Sequence, residues 1–186
     1  TAPEWHDPAN APLPPYHPDL PETRETWAVY YDYMTRMDAE IGAMLARLEK
    51  DGLADNTIVF YFSDHGGAVP GSKRFLFESG LRVPLIIRFP EKWRHLAPAA
   101  PGSRTERLVS FVDFPPTVLS LAKVAIPDHM QGQAFAGEFE KEPRTYAFGN
   151  RGRMDERDDR SRTVRDKRFR YTRNWMPFRP WGQHIE

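Results

Sequence analysis

Apolar and polar positions along this chain fall into segments of different period. From Trp27 the residues Tyr30, Tyr31, Met34, Met37, Ile41, Met44, Leu45 and Leu48 recur at helical spacing, with polar and charged residues between them. This is one face of an amphipathic helix that begins near Glu22 and stops at Gly52. The period then changes. "NTIVFYF", residues 56 to 62, and "VPLIIRFP", residues 83 to 90, are rich in β-branched and aromatic residues at consecutive rather than alternate positions. Such runs predict strands covered on both faces, in a parallel or mixed sheet.

Further along, "ERLVSFVDFPPTVLSLAKV" predicts a short strand followed by a helix. Asp113 stands at its cap, Pro115 and Pro116 in its first turn, and Val124 near its end. "TYAFGN" predicts another strand, and "RTVRDKRFRYTRN" a hairpin turning at Asp166 and Lys167. The order of elements predicts an α/β fold, with a mixed sheet sandwiched by helices. Residues 1 to 21 carry many of the 18 prolines and predict an extended arm over a surface.

Composition narrows the function more by exclusion than by suggestion. A chain of 186 residues suits one ordinary domain or a piece of one. Lys and Arg number 26 and Asp and Glu number 26, so no global field draws the protein to nucleic acid or anionic lipid. No apolar run approaches the roughly 20 residues that cross a bilayer. With no cysteine, disulfides, thiolate metal sites and a cysteine nucleophile within this stretch are excluded. Residues 151 to 173 hold ten Arg or Lys against five Asp or Glu, which makes either a solvated charged surface or an anion-recruiting rim.

Candidate chemistry concentrates after the first strand run, in "SDHGG". In open α/β sheets, loops at the carboxyl ends of strands converge on one crevice, and Asp64 and His65 stand at such an end. A carboxylate suits a hard divalent cation and an imidazole can complete its sphere, while Gly66 and Gly67 let backbone approach closely. A capped turn with a solvated histidine is the plainer alternative. Lys73 follows nine residues after Asp64, in a segment able to fold back over the same crevice. Its ammonium can neutralise charge developing on a leaving oxygen or deliver a proton to it.

Three blocks in this order, "YYDYMTRMDAEIGAMLARLEKDGLADNTIVFYFSDHG", "KRFLFESGLRVPLIIRFP" and "LVSFVDFPPTVLSLAKV", resemble the second half of the type I sulfatases of the alkaline phosphatase superfamily. The resemblance covers residues 20 to 130 well and 140 to 186 more loosely, and is strongest to the bacterial arylsulfatase and sulfamidase-like members. It implies an alkaline phosphatase-like fold. Residues 1–135 would belong to the catalytic α/β domain and 136–186 to the start of a smaller C-terminal antiparallel subdomain. It further implies Asp64 and His65 as metal ligands and Lys73 as the sulfate-contacting, catalytic cation. Glu78, Gly80 and Arg82 would shape the loop. Calcium is the expected metal, with magnesium or manganese as alternatives. His65, where many relatives carry Asn, makes manganese or zinc more admissible than at an all-oxygen site.

Sulfatases of this type use a formylglycine made within a Cys/Ser-x-Pro-x-Arg motif, whose hydrated aldehyde attacks sulfur. That motif is absent here, as are the paired Asp residues that complete the metal site in relatives. The expectation is therefore a C-terminal portion of a longer enzyme that is inactive by itself, acting when whole on a small-molecule or glycan sulfate. Two alternatives stand beside it: a phosphodiesterase or phosphonate monoester hydrolase of the same superfamily, and a truncated, non-catalytic anion-binding paralogue. Relatives are mostly secreted, periplasmic or lysosomal. Secondary candidates are His6 and His17, read as surface histidines; Arg153, Asp155 and Glu156, as pocket-lining or salt-bridged; and Trp175 and Trp181, as pinning the tail to the core.

Overall fold

A computed structural model describes residues 6–154 and 157–179; Asp155, Glu156 and Trp181 lie outside the described residues. The chain divides into two compact units. Of the described residues, one unit comprises those up to Ala54 together with Ser63–Val83, and the other Asp55–Phe62 with residues 84 to 179.

The first unit is built on helix α1, Pro21–Lys50. Pro21 supplies the preset φ of a first helical residue, and Glu22 in the first turn with Arg47 and Lys50 in the last complements the helix dipole. The end is a Schellman motif. Gly52 takes φ +70°, its N–H donates to the Glu49 carbonyl (3.0 Å), and Leu53 N–H reaches back to the Leu48 carbonyl (3.1 Å). The amphipathic stripe is used unevenly, for Trp27 and Ala28 are buried while Met44 and Leu45 stay exposed. The core forms where the proline arm crosses the helix, from Ala11, Trp27, Ala28 and Val69, with Leu13, Tyr30 and Tyr31 packed beside them. Among its described residues the arm is irregular apart from a 3-10 turn over Pro8–Asn10. A one-turn helix α2, Glu78–Leu81, completes the unit.

In the second unit, β1 (Val59–Phe62) and β2 (Leu85–Arg88) pair antiparallel, Val59 opposite Arg88 and Phe62 opposite Leu85. The expected covering of both faces is not found within the described residues, since Phe62 and Ile86 remain exposed. A two-stranded ladder has too little neighbouring structure to close over strands that are apolar on both sides. Aromatic rings gather between this ladder and helix α3, Phe114–Leu121, with Phe62 and Phe114 meeting edge-on at 4.9 Å and Phe135 packing on Phe114 at 5.8 Å.

The strand expected before α3 is reduced to one bridge, Leu108 to Arg144, followed by a 3-10 turn at Phe111–Asp113. Asp113 does not cap α3 with its side chain. Its carboxylate instead accepts from the Ser110 and Gln133 N–H groups (both 2.8 Å) and pairs with Arg144. The chain then runs into a three-stranded antiparallel meander, β3 (Ala147–Met154), β4 (Arg157–Arg165) and β5 (Arg170–Asn174), joined between β4 and β5 by the expected turn at Asp166 and Lys167. Arg151, Asp159, Ser161 and Thr163 line its buried face. Trp175 does not pin the tail in a core. It is 47% exposed, with the Arg173 guanidinium 4.9 Å from its ring centroid.

Candidate active-site loop

Residues 63 to 82 fold as one close-packed loop within the first unit. The Gly66 N–H donates to the Gly80 carbonyl (3.0 Å), and the Lys73 N–H to the Gly67 carbonyl (3.1 Å). Two serines tie its limbs together: the buried Ser72 Oγ donates to the Ser79 carbonyl and the Ser79 Oγ to the Gly71 carbonyl, each at 2.7 Å. The glycines are sterically required. A Cβ on Gly66 would overlap the Ser79 carbonyl, one on Gly80 the Phe75 and Ser72 carbonyls, and one on Gly67 would come within 2.7 Å of the Tyr30 ring. Backbone passes where a side chain does not fit.

Asp64 and His65 sit at the head of this loop. Ser63 Oγ donates to the His65 carbonyl (2.6 Å), holding the turn. The His65 Nδ1 lies 2.7 Å from the Gly66 carbonyl, which only accepts, so Nδ1 carries a proton and Nε2 is the ring nitrogen left to ligate. Nε2 lies 3.5 Å from the Asp64 Oδ2, and the Asp64 side chain is 81% exposed. A carboxylate oxygen and an imidazole nitrogen this close, with the second ring nitrogen tied to a carbonyl, are a donor pair suited to one divalent cation. The fit is partial, because among the described residues no group of three or more His, Asp or Glu side chains gathers to hold a metal.

Lys73 is exposed, and its backbone is joined to the same turn through Gly67. The next residue, Arg74, takes φ +76°, the left-handed region in which a non-glycine residue costs roughly 1–2 kcal/mol. Strain of this kind persists where surrounding bonds over-determine the backbone. Gly80, one of the residues expected to shape the loop, is buried at its closure, and the Arg82 N–H donates to the Glu78 carbonyl (2.8 Å).

Neither arm histidine is merely solvated. His6 places its backbone N–H (2.7 Å) and its Nδ1 (2.9 Å) on the Asp32 Oδ1, which holds the Asp32 carboxyl below the usual carboxylate range, chiefly through the backbone bond. His17 bridges Trp27 and Pro70. In sequence Tyr30 reads only as part of the helix stripe, its place against Gly67 lying 37 residues away, and Ser72 and Ser79 escape the sequence reading because no local pattern marks their bonds across the loop. Arg153 is exposed at the irregularity in the β3–β4 ladder.

Among known proteins, the family described as Sulfatase matches residues 5–124, and that described as N-sulphoglucosamine sulphohydrolase, C-terminal, matches residues 71–181. An ulvan-active sulfatase of Formosa agariphila is 44% identical over 169 residues, which are 89% of this chain and 27% of that protein. A solved complex of a protein with its substrate D-glucosamine-2-N,6-O-disulfate superposes with a TM-score of 0.62 at 28% identity, covering 81% of this chain and 32% of that one. A phosphonate monoester hydrolase from Silicibacter pomeroyi superposes with a TM-score of 0.67 at 25% identity, covering 93% and 38%. The chain thus spans about a quarter to two fifths of the length of these relatives.

Proposed function

The chain belongs to the sulfatase family, and from that premise we propose that it is part of an enzyme hydrolysing the sulfate ester, or sulfamate, of a carbohydrate or aryl substrate. The observation that carries this reading is the Asp64 Oδ2 and His65 Nε2 pair at 3.5 Å, on a turn to which the Lys73 backbone is bonded. In this reading Asp64 and His65 hold the divalent cation, calcium by resemblance, with magnesium or manganese as alternatives. When bound, such an ion polarises the oxygens of a sulfate group. Lys73 places its ammonium against the anionic sulfate and stabilises the charge that builds on the leaving oxygen. The Nδ1–H to Gly66 bond keeps His65 in the ligating tautomer. The nucleophile, a formylglycine by resemblance, belongs to sequence outside these 186 residues, and we propose no sulfate-ester turnover by these residues alone. Residues 1–135 are assigned to the catalytic domain and 136–186 to the smaller C-terminal subdomain.

The names of the relatives, one ulvan-active and one in complex with a sulfated glucosamine, support a sulfated sugar as the substrate class. The test is release of inorganic sulfate by the full-length protein from glucosamine 6-O-sulfate, N-sulfoglucosamine and ulvan oligosaccharides, with a phenyl phosphonate monoester alongside. Sulfate release that falls about a hundredfold or more in Lys73→Ala is expected. Cleavage of the phosphonate without sulfate release would favour the second reading, a phosphonate monoester hydrolase, which the likeness to the Silicibacter enzyme supports.

A further inference from the structure

His17 is bonded at both ring nitrogens to different parts of the first unit. The Trp27 indole Nε1–H donates to His17 Nδ1 at 2.8 Å. Indole nitrogen has no acceptor capacity, so the direction is settled and the ring proton stands on Nε2. That Nε2–H donates to the Pro70 carbonyl at 2.9 Å, a carbonyl being unable to donate. The ring therefore links α1 to the arm and the arm to the loop, each bond in one sense only.

The surroundings make this link stiff. The His17 and Trp27 rings lie 5.7 Å apart, and Tyr16 packs edge-on against His17 at 4.8 Å. Trp27 is buried with Val69, the residue before Pro70, in the core of the unit. Pro70 has no N–H, so its carbonyl is the polar main-chain group available at that point. Gly71 then turns the chain at φ +72°, Ser72 is locked on the Ser79 carbonyl, and Lys73 follows. Only Gly71 and Ser72 separate the His17 contact at Pro70 from Lys73.

We propose that His17 is a positioning residue for Lys73: through Pro70 it sets the loop that aims the ammonium at the substrate anion. The inference rests on the reading of Lys73 as the sulfate-contacting cation. The role asks for an acceptor and a donor side by side on one side-chain head group, which a neutral imidazole supplies, a glutamine amide imitates and a phenylalanine lacks.

The experiment is a double-mutant cycle in the full-length protein, with 4-nitrophenyl sulfate as the probe, reading kcat, KM and the thermal midpoint. His17→Phe is expected to lower kcat/KM by roughly tenfold or more, as small misplacements of a catalytic group do. His17→Gln should restore most of that rate. In a Lys73→Ala background His17→Phe should cost less than about twofold further, since the group being aimed is gone. Should His17→Phe fail to fold, Trp27→Phe removes the indole donor while keeping an aromatic ring, and its loss of rate should vanish in the same background. Equal losses with and without Lys73, or a full rate in His17→Phe, would overturn the proposal. If Lys73→Ala itself keeps full activity, the reading of Lys73 fails and His17 has nothing to position; if Lys73→Ala is impaired and the cycle is additive, the role of His17 alone is refuted.

Discussion

Gly66 and Gly80 close the candidate loop by a single backbone bond, the Gly66 N–H donating to the Gly80 carbonyl at 3.0 Å, with serine and phenylalanine carbonyls filling the space around both α-carbons. Fourteen residues of sequence thereby return to one point, which brings the Asp64 turn and the Lys73 segment into one unit.

Gly66→Ala and Gly80→Ala should each destabilise the protein by at least about 1–3 kcal/mol, because the added methyl meets backbone that has nowhere to move. Gly42→Ala supplies the contrast. A Cβ there meets nothing within 4 Å in the middle of α1, and the change should stabilise by about 0.5–1 kcal/mol. Denaturant midpoints of the three variants check the sign in each case.

Asp64→Asn and His65→Gln, each in the full-length protein, should weaken divalent-ion affinity by about tenfold or more, with sulfate release falling in parallel. Calorimetric titration with calcium and with manganese measures the first and ion chromatography the second. Undiminished ion binding in Asp64→Asn would remove that carboxylate from the site.

What the sequence could and could not convey follows from how local each signal is. The stripe from Trp27 to Leu48 repeats every turn, and the end at Gly52 needs a left-handed residue, so α1 is legible to within a residue or two. The Asp166–Lys167 turn is legible for the same reason. Apolar runs report burial rather than strand direction, which is why "NTIVFYF" and "VPLIIRFP" announce strands but not their antiparallel pairing. Asp64, His65 and Lys73 became a set through the resemblance of whole blocks. The contacts that shape their loop, Tyr30 against Gly67 and His17 on Pro70, span 37 and 53 residues and leave no trace in any window. Asp113 shows the limit of a local rule: its position is that of a cap, yet its carboxylate is taken by the Ser110 and Gln133 N–H groups and by Arg144.

Thr117 offers a test of the second unit. Fully buried, its hydroxyl donates to the Asp113 carbonyl (2.6 Å) and accepts from the Phe135 N–H (3.1 Å), joining α3 to the buried stretch Ala134–Ala136. Thr117→Val keeps the shape and strands the Phe135 N–H in an apolar setting, at a cost of about 1–3 kcal/mol. Thr117→Ser should recover most of it. A valine variant as stable as the parent would show that water reaches the Phe135 amide.

The turn between β4 and β5 should make the hairpin acid-sensitive. Asp166 Oδ1 accepts from the Phe169 N–H (2.5 Å) and the Arg168 N–H (2.7 Å). The Phe169 bond foremost, then the Arg168 bond and the charges of Arg165 and Arg168, hold its carboxyl below the usual carboxylate range against a smaller opposing effect of burial. A carboxyl whose folded value lies below its unfolded one, about 3.9, stabilises the fold above that unfolded value. The contribution is lost as pH falls through the folded value. The stability gap between the parent and Asp166→Ala should therefore be widest near neutrality and shrink as pH falls below about 4. Asp166→Asn keeps an oxygen for the two amides but cannot titrate, so it should lie between the other two at neutral pH and close on the parent in acid. Denaturant midpoints of the three proteins across that range check the order, and a gap that does not change with pH would show that the turn draws nothing from the charge.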